Sequence, residues 1–304
     1  MRLTLRQLQI FIAIAKNGST TAAGEKIALS QSAISASIGE LERTLNVLLF
    51  DRIGKRLLLN DHGRALLTQA LVLVSGAESL EHAYSQDDAP SVLIVGASLT
   101  IGNYLLPSLL SQYWRQQGHA LGDSLPPLQV HIANTAGIMN KVSNFEVDIG
   151  LVEGPCHRAD IAVTPWLADE LLLVAAPTHP IILEHGKSMI PNERLEKTNW
   201  LLREHGSGTR EALEQALLPH IAQLRSSLEF NDHEAIKHCA VEGLGIACLS
   251  KFVVEDKLET GQLVELNTMF GRLHRRFSLL IHHQKQITAG MQQFIRHAIN
   301  SDLI

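Results

Sequence analysis

Gln31, Ser32 and Ser35 share one side of a segment whose other side carries Ile34, Ile38, Leu41 and Leu45. Solvated helix faces ordinarily carry Lys and Glu, so a run of Gln31, Ser32, Ser35, Ala36 and Gly39 is unusual. Side chains this small approach base edges closely; Gln can pair with adenine through two hydrogen bonds, and Ser with several edges. The plainer alternative is a polar exposed face. Arg52, Lys55 and Arg56 surround Gly54, between Leu49-Phe50 and Leu57-Leu58-Leu59, in the pattern of a β-wing. Cations placed there neutralise phosphates, and an Arg can also enter a minor groove. Thr20 joins the set expected to contact DNA.

These residues need a scaffold, and the flanking sequence supplies one. Thr4 can cap a first helix with Leu5, Leu8, Ile12 and Ala15 on its apolar face, ended by Asn17-Gly18. Ser19 or Thr20 caps a second, running to about Ile27. After the turn Ala28-Leu29-Ser30, Ser30 caps a third whose Ala33, Ile34, Ile38, Leu41 and Leu45 point inward. Two short helices on a tight turn, followed by a basic ribbon, form a device for entering the major groove. Charge agrees. Residues 1–64 hold nine Lys/Arg against five Asp/Glu, a net of +4, whereas the whole chain is at −5, so the remainder carries −9. A basic head on an acidic body argues for a nucleic-acid partner that the total would have hidden.

Residues 61–85 read as a long helix. Leu66, Ala70, Leu73, Ala77, Leu80 and Tyr84 are spaced as a heptad seam, and Leu67, Leu71 and Val74 form a second stripe. Pairing with a second copy is the preferred reading of that surplus apolar surface, with packing on its own globular domain as the alternative. Gln86-Asp87-Asp88-Ala89-Pro90 breaks the helix. Strands and helices then alternate: strands at 91–95, 128–132, 148–152, near Val163, and at 171–176, 200–202, 228–230, 245–249, 263–266 and 277–281. Helices fall at 101–117, 135–145, 209–217, 234–242, 251–260 and 288–300. This alternation predicts doubly wound α/β units with parallel sheets.

Ligands of such sheets sit beyond the strand ends, against helix N-termini. Three strand ends carry suitable groups: Ser98, Thr100 and Ile101 within Gly96–Gly102, then Asn134-Thr135, then Ser207 and Thr209 within Gly206-Ser207-Gly208-Thr209. Each could be a simple helix cap; together they point to a small anion held by uncharged hydroxyls and backbone N–H groups. Glu153 follows the third strand. It either lines the same cleft, where a carboxylate favours a protonated oxyanion over a fully ionised one, or points away. Arg203 and Arg210 flank the Gly206–Gly208 turn; either could contact the ligand, and an ordinary surface ion pair is the preferred reading of both.

The 304 residues, 45% hydrophobic, suffice for two or three domains. Met1-Arg2-Leu3 does not read as the start of a signal peptide, no apolar run approaches membrane-spanning length, and three cysteines without CxxC spacing do not suggest a disulfide framework. A cytoplasmic protein with no membrane partner and no cofactor is expected. Enzyme chemistry finds no support. His205-Gly206-Ser207-Gly208 lacks the first glycine of a nucleophile elbow, and His233 and His238 are five apart and cannot share a metal from one helix face.

The stretch Ala22-Ala23, Leu29-Ser30-Gln31-Ser32-Ala33-Ile34-Ser35, Ile38, Leu41-Glu42, Leu45 and Leu49-Phe50-Asp51-Arg52 resembles the signature region of LysR-type transcriptional regulators. The likeness covers the chain and is nearest the family's YeiE-type branch, through Thr100–Pro107, Asp148-Ile149-Gly150, Glu153–His157 and Gly206–Glu211. Many relatives have Pro where Ser32 stands and Arg-Gln where Ala36-Ser37 stand, so base contacts at 36 and 37 are not carried over. The resemblance implies an α/β fold with an all-α winged helix-turn-helix head at 1–60 and a dimerisation helix at 61–88. It implies an effector domain at 89–304 of two periplasmic-binding-protein-like subdomains, 89–165 with 268–304, and 166–267. It further implies a homodimer or homotetramer on promoter double-stranded DNA, contact with RNA polymerase, and effector contacts from Ser98 and Thr100. Sulfite is the first-choice effector, sulfate or thiosulfate the second, and a small carboxylate stays open. The alternative is a small-molecule binding or transport component without a DNA role; the head and the missing leader count against it.

Overall fold

The computed structural model describes residues 3–54, 56–84, 92–120 and 122–301. Lys55 and the expected break at 86–90 lie outside the described residues. Two compact units are formed, one from residues 1–89 with 284–286 and the other from residues 90–283 and 287–304.

In the first unit, α1 (Leu5–Asn17) opens with a reciprocal capping box: Gln7 N donates to Thr4 Oγ1 at 3.2 Å and Thr4 N to Gln7 Oε1 at 3.0 Å. A cap of this kind is worth about 1 kcal/mol. The buried stripe is Leu8, Phe11 and Ile14, with Gln7 and Ile10 beside it. Leu5 is exposed, so the expected Leu5–Ile12–Ala15 face is rotated by the packing of helices on the other side. Ser19 caps α2 (Thr20–Ile27), Ala28 ends it with φ 54°, and Ser30 caps α3 (Gln31–Leu45). Gly24 lets the turn close: a Cβ there would lie 2.5 Å from the Leu29 carbonyl oxygen. Ile34, Ile38 and Leu41 are buried, whereas Ala33 is exposed and belongs to the outer face.

Strands β1 (Phe50–Ile53) and β2 (Arg56–Leu59) pair antiparallel, with Ile53 opposite Arg56 across the Gly54 turn. Helix α4 (Asp61–Tyr84) divides its apolar residues. Leu66, Leu67, Ala70 and Val74 pack into the core of the head, which removes Leu66 and Ala70 from the expected seam. Leu73 and Leu80, further along the seam, are 54% and 58% exposed. The Tyr84 side chain lies outside the described residues.

The second unit runs β3 (Leu93–Ser98), a π-helical turn (Ile101–Leu105), α5 (Leu106–Gln116), β4 (Leu128–Ala133), α6 (Thr135–Ser143) and β5 (Ile149–Glu153). Then come β6 (Ile161–Ala175), α7 (Pro180–His185), α8 (Asn192–Lys197), β7 (Trp200–Arg203), α9 (Gly208–Leu217), β8 (Ser226–Phe230) and α10 (His233–Val241). It closes with β9 (Ile246–Ser250), α11 (Lys251–Glu259), β10 (Val264–Glu265), β11 (Leu273–His282) and α12 (Ala289–Asn300). The sheet order is β4-β3-β5-β11-β6-β9-β7-β8, with β10 on β6.

Parallel pairing is confined to β4-β3-β5 and β9-β7-β8. Between them, β6 and β11 pair antiparallel with each other and with their outer neighbours, so the sheet is mixed rather than parallel throughout. The segments near Val163 and at 171–176 are one 15-residue strand, whose two ends serve the two halves of the unit. Return to the first half runs along β11 (Leu273–His282), which follows the expected boundary near 267. Helices α7 and α8 are six residues each, too short to declare themselves by periodicity. The Leu105–Leu109–Phe277–Phe294 core fills the first half and the Trp200–Leu213–Leu217–Ile246 core the second. Among the described residues, no helix is long and apolar enough to cross a membrane.

Candidate functional site

On the head, α3 presents Gln31 and Ser32 to solvent, with Ser35 half-buried beside them. Gln31 Nε2 donates to Thr20 Oγ1 at 3.2 Å, and the Ser30 and Ser32 hydroxyls pair at 3.0 Å. The two helices of the motif thus share one polar edge. The ribbon is tied to the same scaffold: Leu57 N donates to Gly18 O at 2.8 Å and Leu49 N to Glu42 Oε1 at 2.8 Å. Arg52 and Arg56 are exposed on it.

In the α/β unit, the strand ends predicted to hold a ligand meet along the seam between the two halves. Ala136 N donates to Gly206 O at 3.0 Å, and Asn134 Nδ2 to Glu204 Oε1 at 2.9 Å. Thr135 Oγ1 donates to Glu153 O at 2.8 Å, and Asn103 Nδ2 stands 3.5 Å from His233 Nε2. Burial of Ser98, Thr100, Ile101, Thr135, Ser207 and Thr209 is nearly complete. Strand β3 extends to Ser98 and helix follows at once from Leu99, so Gly96–Gly102 is not an open loop.

The three expected polar ends differ in what their side chains do. Asn134 is a working cap: its Oδ1 accepts from Gly137 N at 2.8 Å. Ser207 occupies the cap position of α9 and makes no cap bond. Its Oγ is buried without a hydrogen-bond partner, and so is Ser98 Oγ. Thr209 accepts from Arg275 Nη1 at 2.9 Å and is committed to that contact.

Two residues change the electrostatic expectation of an uncharged cleft. Arg203, read as a surface ion pair, is 2% exposed at the end of β7. Its Nε and Nη2 grip Glu204 at 2.8 and 2.9 Å, leaving Nη1 buried without a partner. Burial pushes the Glu204 carboxyl up, but the bonds from Arg203 and Asn134 outweigh that and hold it below its usual range. His233, considered only as a metal ligand, is buried at the start of α10 with Nδ1 unpartnered. It follows strand β8 at the position the strand-end rule assigns to ligand contacts, and that rule could have found it. Arg210 does form a peripheral ion pair, with Glu214 at 2.7 Å and Glu229 at 2.5 Å.

Glu153 is neither a free cleft carboxylate nor a surface one. Its Oε2 lies 2.6 Å from Arg275 Nη2, and the Arg275 Nε lies 2.6 Å from Asp169 Oδ2. Ser250 donates to Asp169 at 2.7 Å. Selection of a protonated ligand by an uncompensated Glu153 therefore loses its basis. What remains is four buried polar atoms without partners, Ser98 Oγ, Ser207 Oγ, Arg203 Nη1 and His233 Nδ1, on strand ends of both halves. Each unmet group costs about 1–3 kcal/mol. No cluster of three or more His, Cys, Asp or Glu suited to a metal occurs among the described residues.

Comparison with known proteins bears on both units. Residues 5–64 match the model for bacterial regulatory helix-turn-helix proteins of the lysR family, and residues 86–301 the LysR substrate binding domain. The chain is 41% identical over 295 residues to the HTH-type transcriptional regulator YeiE of Escherichia coli (strain K12), covering 97% of each. It is similar to the Synechocystis CcmR regulatory domain in complex with 2-PG: TM-score 0.59, 27% identity, 68% of this chain and 95% of that one. A full-length OxyR variant from Pseudomonas aeruginosa shares the fold: TM-score 0.71, 22% identity, 100% of this chain and 97% of that one.

Proposed function

The chain belongs to the LysR family of transcriptional regulators, with a helix-turn-helix unit and an effector-binding domain, and from that premise we propose a cytoplasmic sensor of a small oxyanion that acts on promoter DNA. The carrying observation is the set of four buried, unpartnered polar atoms at the seam: two hydroxyls, a guanidinium nitrogen and an imidazole nitrogen. Such a set suits a compact ligand with several acceptor oxygens. Sulfite comes first and sulfate or thiosulfate second, the order suggested by the resemblance to the YeiE-type branch and, through it, to the family's sulfur-assimilation regulators. Closure of the seam on the ligand would bias a two-state arrangement of the oligomer, altering half-site spacing or contact with RNA polymerase.

Ser98→Ala tests the ligand reading. Calorimetry with sulfite is expected to show affinity lowered by about 1–3 kcal/mol, or about 5- to 150-fold, because a ligand oxygen loses its donor. Wild-type protein that binds no sulfur oxyanion in calorimetry removes this ligand and leaves the family assignment standing.

On the head, Gln31, Ser32 and Ser35 are proposed to read bases, Thr20 to contact the DNA beside them, and Arg52, Lys55 and Arg56 to act on phosphates or in the minor groove. Two-fold related heads, reading paired half-sites, need a dimer or tetramer. The exposed Leu73 and Leu80 of α4 support pairing through that helix. Leu73→Asp is expected to give monomers in sedimentation and at least about tenfold weaker operator binding, since a buried unpaired carboxylate costs several kcal/mol. An unaltered dimer would move the interface elsewhere.

A further inference from the structure

His233 is set in the seam without a structural reason of its own. It is 2% exposed, its Nδ1 meets nothing, and its Nε2 has only distant neighbours, Asn103 Nδ2 and Glu234 Oε1, each at 3.5 Å. A side chain retained only for packing would be apolar, because a buried ring nitrogen left unmet is costly. The Tyr104 ring lies 5.6 Å away, centroid to centroid, and holds the imidazole in place.

The charges around it are already matched. Arg203 is gripped at two points by Glu204. Lys237 pairs with Glu234 at 2.9 Å, and its next carboxylate, Asp256, stands at 3.9 Å. Arg275 faces both Glu153 and Asp169, so that cluster holds one cation against two carboxyl groups. The groups facing His233 are Glu234 and Asp232 of its own turn, Glu153 from β5 and Arg203 from β7, with the neutral Asn103 and Tyr104 from the π-helical turn. Among the described residues, no cation in this surround is in excess. A dianion entering here would bring two charges into a low-dielectric place with nothing to balance them.

We propose that the effector is taken up together with one proton from solvent, shared between a ligand oxygen and Nδ1 of His233. This rests on the seam being the effector site. Burial disfavours the charged imidazole, against the raising influence of Glu234 and Glu153, so the proton must come with the anion. The site therefore recognises the ligand by total charge as well as by shape: a dianion with a proton, or a hydrogen-bearing monoanion, is matched, and a bare dianion is not. The regulator then reports ligand and acidity jointly.

The test uses the full chain, with sulfite as probe at mildly alkaline pH, where sulfite is fully ionised. Calorimetry in buffers of differing ionisation heat should show about one proton taken up per sulfite, and affinity falling about tenfold per pH unit as pH rises. His233→Asn keeps a polar side chain at this position and has no titrating nitrogen; its affinity should change by less than about twofold per unit. Thermal melting of the variant verifies that it is folded. Wild-type binding without proton uptake overturns the proposal and leaves the effector site intact; the wild-type measurement alone suffices for this if the variant does not fold. Full uptake retained in folded His233→Asn also overturns it, since the ligand then brings its own proton. Failure of sulfite to bind wild type removes the ligand reading on which the proposal rests.

Discussion

Replacing Arg275 with methionine is expected to destabilise the α/β unit by about 3–5 kcal/mol at neutral pH, because it leaves two buried carboxyl groups facing each other with no cation. The guanidinium spends all three nitrogens on different elements: Nε on Asp169 of β6, Nη2 on Glu153 of β5, and Nη1 on Thr209 of α9. It stacks over Phe277 of its own strand, 5.4 Å from the ring centroid. One side chain thus joins the crossover strands to both halves of the unit. Burial already pushes the Asp169 carboxyl up in the wild type, against the pull of Arg275. Without that pull the Asp169 carboxyl rises further. A folded-state pKa above the unfolded value gives stability present at low pH and lost as pH rises through the folded pKa. The deficit of Arg275→Met should therefore be smaller near pH 5 than near pH 8. All three tryptophans, Trp114, Trp166 and Trp200, lie in this unit, so urea unfolding followed by their fluorescence reads it selectively. Arg275→Lys, which keeps the charge and loses the fork, should fall between. A midpoint for Arg275→Met indistinguishable from wild type would show that the network is not holding the halves together.

What the residues declare in advance is what is settled locally. Thr4, Ser19 and Ser30 cap the helices assigned to them, because a cap is decided by a side chain and the N–H groups within three residues of it. Which face of a helix turns inward depends on neighbours, and there periodicity misleads: Leu5 and Ala33, expected in the core, are exposed. The heptad seam of α4 is likewise divided by tertiary packing, its first turns going to the head. Strand β6 reads as two pieces because Thr164-Pro165 and the charged Asp169-Glu170 interrupt its apolar pattern, and its length exists only through pairing with β11. At the seam, the strand-end rule points to Ser98 and Ser207 from residue type and place in the strand-helix alternation. The same rule covers the position of His233 after β8, but ionisable side chains ordinarily signal the surface, and only the three-dimensional structure shows that His233 and Arg203 are buried.

Gly208→Ala should weaken effector binding about 30- to 100-fold while leaving effector-free DNA binding unchanged. A Cβ at this position would overlap the Glu153 carbonyl oxygen and stand 2.9 Å from Thr135 Oγ1, both in the opposite half of the unit. Neither neighbour can yield cheaply. The carbonyl belongs to strand β5, and the Thr135 hydroxyl is already bonded to it at 2.8 Å. The start of α9 must then move away from β5, and Ser207, the adjacent residue with the unpartnered hydroxyl, moves with it. A ligand contacting both Ser98 and Ser207 cannot then satisfy both, and loses about one or two hydrogen bonds of the charge-assisted kind. Overpacking of this sort also costs about 1–3 kcal/mol of stability, which leaves a folded protein in which to measure the loss. Gly290→Ala serves as the control, because nothing lies within 4 Å of its Cβ position. Calorimetry with sulfite and operator titration on the same preparations separate the two functions. An affinity for sulfite within about threefold of wild type would mean that the ligand does not span the seam at α9, and that Ser207 owes its vacant hydroxyl to something other than the effector.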